Sequence, residues 1–510
     1  MSALQKDIVV GVIGAGAMGA GIAQVAAQAG HQVKLYDNRD GAASAAIDSM
    51  ATQLAKLVER QKFTAEQVQQ ILARLEVAQS LEELSGAGLV VEAIVENIDV
   101  KKGIFDTLES LCSKDCILAS NTSSISITRL AAGMKHPERL VGMHFFNPAP
   151  IMKLVEVVSG LATDSKVADC IYETALQWGK KPVHAASTPG FIVNRVARPF
   201  YAESFRLRQE QVADCATLDA LIKGAGGFRM GAFELTDMIG HDVNYAVTCS
   251  VFDAYYGDFR FQPSLIQKDL VDAGFLGRKT GQGFYSYHDD ADKPQPQHVS
   301  VPSSAGPVSC EVSQELGLLS KLVERFAQAG AQVTVVPDMP SGYLKVDGVT
   351  MALTDGRMAC ERANDEQFGE LVLVDLALDY QGVEHIALSR SASTSDAAFY
   401  SVVKCFALAG ITVSEVEDSP ALVVMRTVAM LANEASDAVL QGVATADGVD
   451  TAMCFGVNYP KGPLAWADAI GVTQVDNVLR HLQLSYGEDR YRPSLLMRRI
   501  ALVGGRFHGE

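Results

Sequence analysis

The chain has 510 residues, too many for one ordinary domain, because single hydrophobic cores stop growing at roughly 250–300 residues. Hydrophobic residues make up 48% and charged residues 20% of it, as in a globular protein rather than a disordered or fibrous one. The formal net charge of −17 repels phosphate backbones and argues against a nucleic-acid-binding function.

The sequence also argues against a membrane, secreted or metal-centred protein. No apolar run approaches the ~20 residues of a membrane-spanning helix, and the first residues match neither a signal nor a transit peptide. The nine cysteines are an odd number and show neither a CxxC pair nor a zinc-site spacing. We therefore expect reduced thiols, a cytoplasmic location and no metal.

The first strong signal is a strand–turn–helix–strand unit of the kind that binds a dinucleotide. Its parts, in chain order, are the apolar run 8–13, the glycines Gly14, Gly16 and Gly19, the Ala-rich stretch 20–29, and the short strand 32–36 closed by Asp37. The glycines suit a tight turn and a close approach to a pyrophosphate at the helix N-terminus. The acid favours NAD, whereas Arg39 two residues later leaves NADP open.

The remaining elements predict an α/β domain followed by helices, a second α/β segment and more helices. Strands are expected at 89–93, 116–120, 140–143 and 154–158 in the first part, and at 332–336, 371–376, 385–388 and 411–416 in the second. Long amphipathic helices fill the chain from Pro189 to about residue 283. A linker rich in Pro, Ser and Gln follows, and residues 308–415 form a small Rossmann-like module that we interpret as structural.

The end of the chain repeats the first helical segment at a constant offset in residue number. This offset, called the displacement below, carries Pro189 to Pro420. The same displacement superposes Glu203 on Glu434, Asp219 on Asp450 and Asp237 on Asp468. This predicts two copies of one helical domain packed as an intrachain pseudo-dimer. The expected domains are 1–187 (dinucleotide-binding), 188–290 (helical), 291–307 (linker), 308–417 (Rossmann-like) and 418–510 (second, degenerate helical copy).

Candidate catalytic residues lie near the ends of strands. Ser120–Ser124 follows a strand, at the edge where parallel sheets hold ligands, although the same residues also suit a helix cap. His144 ends an apolar strand, and Glu156 lies within another. Because an unpaired buried carboxylate is costly, a histidine is its natural partner, and the carboxylate would raise the basicity of the other ring nitrogen. A histidine base beside a nicotinamide indicates oxidation of an alcohol.

Six motifs between residues 8 and about 287 together resemble the 3-hydroxyacyl-CoA dehydrogenase family. They are GAGAMGAGIA, VEAIVEN, ASNTSSISIT, GMHFFNPAPIMKLVEVV, TPGFIVNR and GRKTGQGFY. The whole arrangement is similar to the long bacterial 3-hydroxyadipyl-CoA and 3-hydroxybutyryl-CoA dehydrogenases, the former serving phenylacetate degradation. The resemblance implies a Rossmann domain, a helical C-terminal domain, NAD as cofactor and an acyl-CoA substrate.

The resemblance also implies roles for individual residues. His144 matches the catalytic base, Glu156 its partner, and Ser123 and Asn194 the residues that hold the substrate oxygen. The positions that match contacts to NAD are Asp37, Glu96, Lys101, Ser123, Asn147 and Lys279. Without the family, Lys101 and Lys279 would be interpreted as surface charges. Lys56, Arg60 and Lys62 lie where relatives contact CoA, and we expect a steering patch or a solvated helix face there.

Two departures from the family pattern concern the helical copies. Ala232 stands where the family has proline, and in the second copy Met425 replaces the counterpart of Asn194, so that copy is expected to be structural. Oligomers through other surfaces stay possible. The other functional interpretations are a 3-hydroxybutyryl-CoA dehydrogenase, a related β-hydroxyacid or sugar-nucleotide dehydrogenase, and a non-catalytic NAD-binding structural protein.

Overall fold

The structure, a computed structural model, describes residues 2–289, 291–300 and 307–509. Residues 301–306 of the expected linker lie outside the described residues. The chain divides by its packing into two units, one formed by residues 1–195 and 441–458 and the other by residues 196–440 and 459–510. In the described part of the chain, no helix has both the length and the apolar character that crossing a bilayer requires.

The first unit contains an eight-stranded sheet with helices on its faces. Its strands are β1 (Val10–Ile13), β2 (Val33–Tyr36), β3 (Leu75–Val77), β4 (Leu89–Glu92), β5 (Ile117–Ser120), β6 (Leu140–Phe145), β7 (Leu154–Ser159) and β8 (Lys181–Ala186). Its helices are α1 (Ala17–Ala29), α2 (Ala42–Glu59), α3 (Ala65–Leu72), α4 (Ile98–Leu111), α5 (Ile127–Ala131), α6 (Ser165–Gln177) and the short α7 (Val193–Val196).

The strand order is β3-β2-β1-β4-β5-β6-β7-β8, and every neighbouring pair is parallel except β6 and β7. The central strands β1, β4 and β5 are buried along their whole length, as expected for a sheet that is covered on both faces. Strands β3 and β8 are absent from the sequence-based expectations. The strand expected at 140–143 extends to Phe145, so His144 lies inside it rather than after it.

The first helical copy continues the chain in the second unit. Its helices are α8 (Arg198–Gln209), α9 (Cys215–Gly224), α10 (Ala232–Ile239), α11 (His241–Ala254) and α12 (Leu265–Asp272). The described part of the linker is bonded to the fold rather than detached from it. The Gln297 N–H donates to the Thr217 hydroxyl, and the Val299 N–H donates to the Val413 carbonyl.

A second, seven-stranded sheet follows in the same unit. In chain order its elements are β9 (Ser309–Val312), α13 (Ser320–Gln328), β10 (Gln332–Val335), β11 (Tyr343–Val346), β12 (Val349–Leu353), α14 (Ala359–Asp365), β13 (Leu371–Val374), β14 (His385–Arg390), α15 (Asp396–Leu408) and β15 (Thr412–Glu415). The strand order is β10-β9-β11-β12-β13-β14-β15. All four expected strands of this segment are present, and β9, β11 and β12 are additional.

The second helical copy repeats the first. It consists of α16 (Val424–Leu440), α17 (Ala446–Gly456), α18 (Pro463–Ile470), α19 (Val472–Tyr486) and α20 (Leu495–Leu502). The counterparts of α7 and α8 are fused into the single helix α16. Pro199 interrupts the first copy at this point, whereas Met430 occupies the corresponding position of α16, and proline is disfavoured in a helix interior.

The first helical copy follows the first sheet in the chain, but its helix α9 packs on the second sheet. The second helical copy follows the second sheet, but its helix α17 packs on the first. In the first unit α17 packs against β7 and β8, and the Ala186 N–H donates to the Val443 carbonyl. In the second unit α9 packs against β14, and the Glu417 N–H donates to the Val212 carbonyl. The displacement that relates the helical copies also converts one of these hydrogen bonds into the other. The repeat therefore includes the ends of the strands as well as the helices.

Candidate active site

The glycine turn between β1 and α1 has the backbone shape that the spacing predicts. Gly14 has a φ of +102°, and a Cβ there would lie 2.5 Å from the Ala93 carbonyl oxygen. A Cβ on Gly19 would lie 1.8 Å from the Gly14 carbonyl oxygen, so helix and turn touch only because both residues are glycine. Gly16 is exposed at the N-cap of α1, and no side chain caps this terminus. The uncapped N–H groups fit a pyrophosphate.

Asp37 lies at the end of β2, beside this turn. Its Oδ2 accepts a hydrogen bond of 2.7 Å from the Ala15 N–H, and its Oδ1 accepts one of 3.0 Å from the Arg39 Nε. The bond from the Arg39 guanidinium lowers the pKa of Asp37 to about 2. Arg39 is therefore bound to the carboxylate, and the negative charge beside the turn suits the ribose of NAD and repels a 2′-phosphate.

His144 and Glu156 face each other across the antiparallel pair β6 and β7, where they are direct partners in the register. The imidazole Nδ1 donates a hydrogen bond of 2.6 Å to the Glu156 Oε2. Both residues are buried, and the Phe146 ring lies 4.6 Å from the imidazole, centroid to centroid. Nε2 of His144 has no hydrogen-bond partner among the residues that the structure describes, so it is available to a ligand.

The second oxygen of Glu156 holds the start of α7. Its Oε1 accepts hydrogen bonds from the Ile192 and Val193 N–H groups, at 3.1 and 3.0 Å. These donors belong to the first turn of a helix, where backbone N–H groups lack internal partners. One buried carboxylate therefore fixes both the imidazole tautomer and the segment that carries Asn194.

Ser123 is exposed in the loop after β5, and Glu96 holds this loop in place. The Glu96 Oε1 accepts bonds from the Thr122 hydroxyl at 2.5 Å and from the Ser123 and Ser124 N–H groups at 3.1 Å each. Burial raises the pKa of Glu96, but the bonds from Thr122 and Lys101 outweigh it and leave the pKa below its usual value. Glu96 is thus an ionised anchor of the loop.

Lys101 is not the surface charge that its sequence context alone indicates, since only 1% of it is exposed. Its Nζ lies 2.6 Å from the Glu92 Oε1 and 3.2 Å from the Glu96 Oε2. Glu92, fully buried at the end of β4, also accepts a bond of 2.6 Å from the Ser120 hydroxyl. A buried network therefore connects the end of β4 with the loop that carries Ser123.

The other expected site residues have different surroundings. The Asn194 Nδ2 donates to the Ser123 carbonyl at 3.4 Å, which brings the two expected oxygen-binding residues together. Asn147 is exposed just after β6. Lys279, in the other unit, is half-exposed and paired with Asp242.

The three basic residues expected near CoA are all solvent-exposed. Lys56 lies in the last turn of α2, Arg60 is its C-cap and Lys62 follows in the turn before α3.

The buried residues Glu92 and Lys180 were missed by sequence reasoning, whereas Asn121 lay within the expected segment Ser120–Ser124 but was given no role of its own. Glu92 could have been noticed as an acid that closes the buried apolar run Leu89–Val91. The Asn121 Oδ1 accepts the Phe145 N–H at 2.8 Å and ties the loop to β6, but its motif does not predict that bond. Lys180, buried below the loop after β6, donates to the Ala149 and Met152 carbonyls. Burial lowers its pKa to about 8.

A largely parallel sheet with a glycine turn, an acid at the end of its second strand and a buried histidine–carboxylate pair are typical of an NAD-dependent oxidoreductase. Family models agree with this class. The NAD-binding domain of 3-hydroxyacyl-CoA dehydrogenase matches residues 9–188, and the C-terminal domain of that enzyme matches residues 190–287 and again 422–507. The reduced Rossmann-fold domain of 3-hydroxybutyryl-CoA dehydrogenase matches residues 351–420. The chain belongs to the 3-hydroxyacyl-CoA dehydrogenase family.

Individual relatives extend the similarity over nearly the whole chain. The chain is 43% identical to the 3-hydroxyadipyl-CoA dehydrogenase of Escherichia coli K12, over 97% of each sequence. The crystal structure of a 3-hydroxybutyryl-CoA dehydrogenase from Escherichia coli K12 superposes with a TM-score of 0.88 at 42% identity, covering 98% of this chain and 99% of that one. The mitochondrial hydroxyacyl-coenzyme A dehydrogenase of Rattus norvegicus is 39% identical over 54% of this chain and 90% of its own length.

Proposed function

We propose that this chain oxidises the (S)-3-hydroxyl group of an acyl-CoA to a 3-oxo group, with His144 as general base. The observation that carries the proposal is the 2.6 Å bond between the His144 Nδ1 and the Glu156 Oε2. Because the bonded nitrogen donates to the carboxylate, Nε2 carries the free lone pair of the neutral imidazole. Nε2 is therefore the atom that receives the hydroxyl proton.

The neighbouring residues complete the proton transfer. Glu156 keeps the imidazole in the required tautomer and stabilises the imidazolium that forms. The two backbone donors at its other oxygen hold the carboxylate in position. Ser123 and Asn194 donate hydrogen bonds to the reacting oxygen. In the reverse direction the same imidazolium returns its proton to the 3-oxo group.

The first unit would hold NAD, which when bound accepts the hydride released from the carbinol carbon. The glycine turn and the N-terminus of α1 bind its pyrophosphate, and Asp37 binds the adenosine ribose. Further cofactor contacts are proposed for Glu96, Lys101, Asn147 and Lys279. Of these, Glu96 and Lys101 act as an ion pair, so they also position Ser123.

The proposed substrate is 3-hydroxyadipyl-CoA, as in the aromatic catabolism that the phenylacetate pathway represents. This is supported by 43% identity over 97% of both chains to a protein with that name. A second candidate, 3-hydroxybutyryl-CoA, is favoured by the name of the solved structure with a TM-score of 0.88. The ratio of kcat/KM for the two thioesters decides between them, and we expect it to favour the longer, acidic acyl group.

Two further proposals concern the surface. Lys56, Arg60 and Lys62 form a positive patch that attracts the phosphates of CoA to a chain of net charge −17. The second helical copy takes the place of a partner subunit, a proposal supported by the packing of α17 against the first sheet and of α9 against the second. Association of whole chains through other surfaces stays compatible with this arrangement.

The substitution His144→Gln tests the proposed base. Glutamine cannot take up the proton, so we expect kcat to fall ~10²–10⁴-fold, while the Kd for NADH stays within about two-fold because the turn after β1 is untouched. Oxidation of NADH with acetoacetyl-CoA gives kcat, and fluorescence titration gives the Kd. His136→Gln, at an exposed histidine of the same unit, is the matched control. Wild-type turnover in His144→Gln would refute the assignment.

A further inference from the structure

The helical unit contains a cavity of about 160 Å³ whose walls are unusually rich in arginine. It lies among α8, α11, the loop before α12 and the turn before α20. Its charged lining residues are Arg198, Arg206, Arg260 and Arg490. Four buried polar atoms of its lining have no hydrogen-bond partner in the described structure: the Nε atoms of Arg198, Arg260 and Arg490, and the Ser264 Oγ.

Arg198 is the residue whose charge is left uncompensated. It is only 6% exposed, its Nη1 donates to the Thr248 hydroxyl at 3.0 Å, and its guanidinium carbon lies 4.9 Å from the centre of the Tyr201 ring. Within the described ranges no carboxylate pairs with it. Burial lowers the pKa of Arg198, and the nearby Tyr201 and Tyr459 only partly oppose that effect. A buried cation without an anion is costly, since arginine does not deprotonate in proteins.

The other three arginines of the cavity do have acidic partners. Arg260 pairs with Glu434 at 3.1 Å and with Asp437. Arg206 pairs with Glu488 at 3.1 Å. The Arg490 Nε lies 3.5 Å from the same Glu488 carboxylate, and its Nη2 donates to the Gln262 amide oxygen. The surplus charge at the cavity is therefore the one positive charge of Arg198.

The helical fold itself does not require Arg198 or the polar residues beside it, because the second copy has apolar residues at their positions. The displacement that carries Pro189 to Pro420 also carries Arg198 to Ala429 and Thr248 to Leu479. Gln267, which also lines the cavity, corresponds to Met497 when the Pro-Ser-Leu motifs 263–265 and 493–495 are aligned. All three counterparts are buried apolar residues. The fold thus forms with apolar side chains at these positions, and the first copy has polar ones for another reason.

The rest of the lining is suited to a short hydrocarbon chain. Tyr201, Phe205, Phe261, Pro263 and Leu265 contribute apolar surface to the same cavity. A guanidinium fork matches the two oxygens of a carboxylate, and the hydroxyl and amide groups nearby supply further donors. An aliphatic carboxylate satisfies both parts of the lining, whereas inorganic phosphate has no methylene groups to bury.

We propose that Arg198 binds the carboxylate of a free, short-chain aliphatic acid in this cavity. One lining guanidinium has no acidic partner, so one carboxylate is bound, and the methylene groups of the acid lie on the apolar part of the lining.

Calorimetric titration of the full chain with hexanoate tests the site without any turnover. We expect hexanoate to bind to the wild type, with acetate and inorganic phosphate binding more weakly. Arg198→Ala copies the residue of the second copy, and loss of a charge-assisted bond is expected to weaken hexanoate binding about 10- to 100-fold. Its thermal midpoint should not fall, because an unpaired buried charge has been removed. Arg198→Lys keeps the charge but loses the fork, and should bind with intermediate affinity.

Arg480→Ala, at an exposed arginine of α19, is the control and should bind hexanoate as tightly as the wild type.

Two results would overturn the site. One is equal hexanoate affinity in the wild type and Arg198→Ala, including no binding to either, and the other is phosphate binding as tight as hexanoate binding.

Discussion

The strands β6–β8 and β13–β15 are two versions of one structure. The displacement between the helical copies carries the first residue of each strand in the first set to the first residue of the corresponding strand in the second set. In both sets the first two strands are antiparallel and the last two are parallel. In the first version His144 and Glu156 are cross-strand partners. In the second their positions are taken by Asp375 and Ala387. The second version therefore has no imidazole, and its carboxylate follows β13, the counterpart of β6.

The carboxylate keeps its structural contacts in both versions. Glu156 accepts the Ile192 and Val193 N–H groups, and Asp375 accepts the Val423 and Val424 N–H groups at 3.0 and 2.7 Å. The four donors correspond at the same displacement. The fold therefore requires a buried carboxylate that caps the helix after the last strand, whereas only the first version places an imidazole beside that carboxylate. The helix-capping contacts of Glu156 are thus independent of its pairing with His144.

The largest effects are expected from a double variant that converts the first version into the second. Glu156→Ala alone leaves two buried N–H groups without an acceptor and should cost about 2–4 kcal/mol of unfolding free energy. Adding His144→Asp should recover most of that stability by copying Asp375, while kcat stays ~10²–10⁴-fold below wild type. Denaturant titration and NADH oxidation measure the two quantities. If the double variant is no more stable than Glu156→Ala, the two carboxylates are not equivalent.

A smaller effect is expected at Glu92 of the buried network, which lies outside the strands that the displacement relates: the displacement carries it to Val323, within α13. Glu92→Gln leaves Lys101 with one carboxylate, and we expect kcat to fall about 10-fold because the Ser123 loop shifts. The KM for NADH should change less than kcat. Glu66→Gln, on exposed α3, is the control, and an unchanged kcat in Glu92→Gln would show that the network does not position the loop.

The smallest expected effect concerns the helical copies. Pro463 is the first residue of α18, and Ala232 is the first residue of α10. Gly231, before it, has φ −77° and ψ 170°, the extended backbone that a residue before proline adopts. Ala232→Pro should therefore stabilise the protein by about 0.4–1 kcal/mol, and Pro463→Ala should lose a similar amount. Denaturation midpoints measure both, and a lower midpoint for Ala232→Pro would show that the two helix starts differ.

Much of the site was predictable because it depends on local sequence. Gly14 and Gly19 determine the tight turn after a buried strand, through a positive φ at Gly14 and close backbone contacts that a Cβ at either position would prevent. The acidic Glu156 in an apolar strand required a partner, and the nearest histidine in the sequence was the expected one. Local patterns of this kind are properties of one strand or one turn.

What could not be predicted depends on register and on distant parts of the chain. The antiparallel direction of β7 sets His144 opposite Glu156, yet no local pattern determines that direction. The surroundings of Lys101 could not be predicted from its sequence neighbours, because its two carboxylates come from different positions. Only the tertiary structure buries Lys101 together with Glu92.

The sequence alone therefore determined the class of fold, the glycine turn after the first strand and the existence of two helical copies. The tertiary structure alone decided that Asp375 replaces Glu156 as a helix cap, that Lys101 is an interior cation and that Arg198 lacks an anion. The reason is physical: backbone conformation follows from neighbouring residues, whereas the compensation of a buried charge depends on groups that folding brings together from far along the chain.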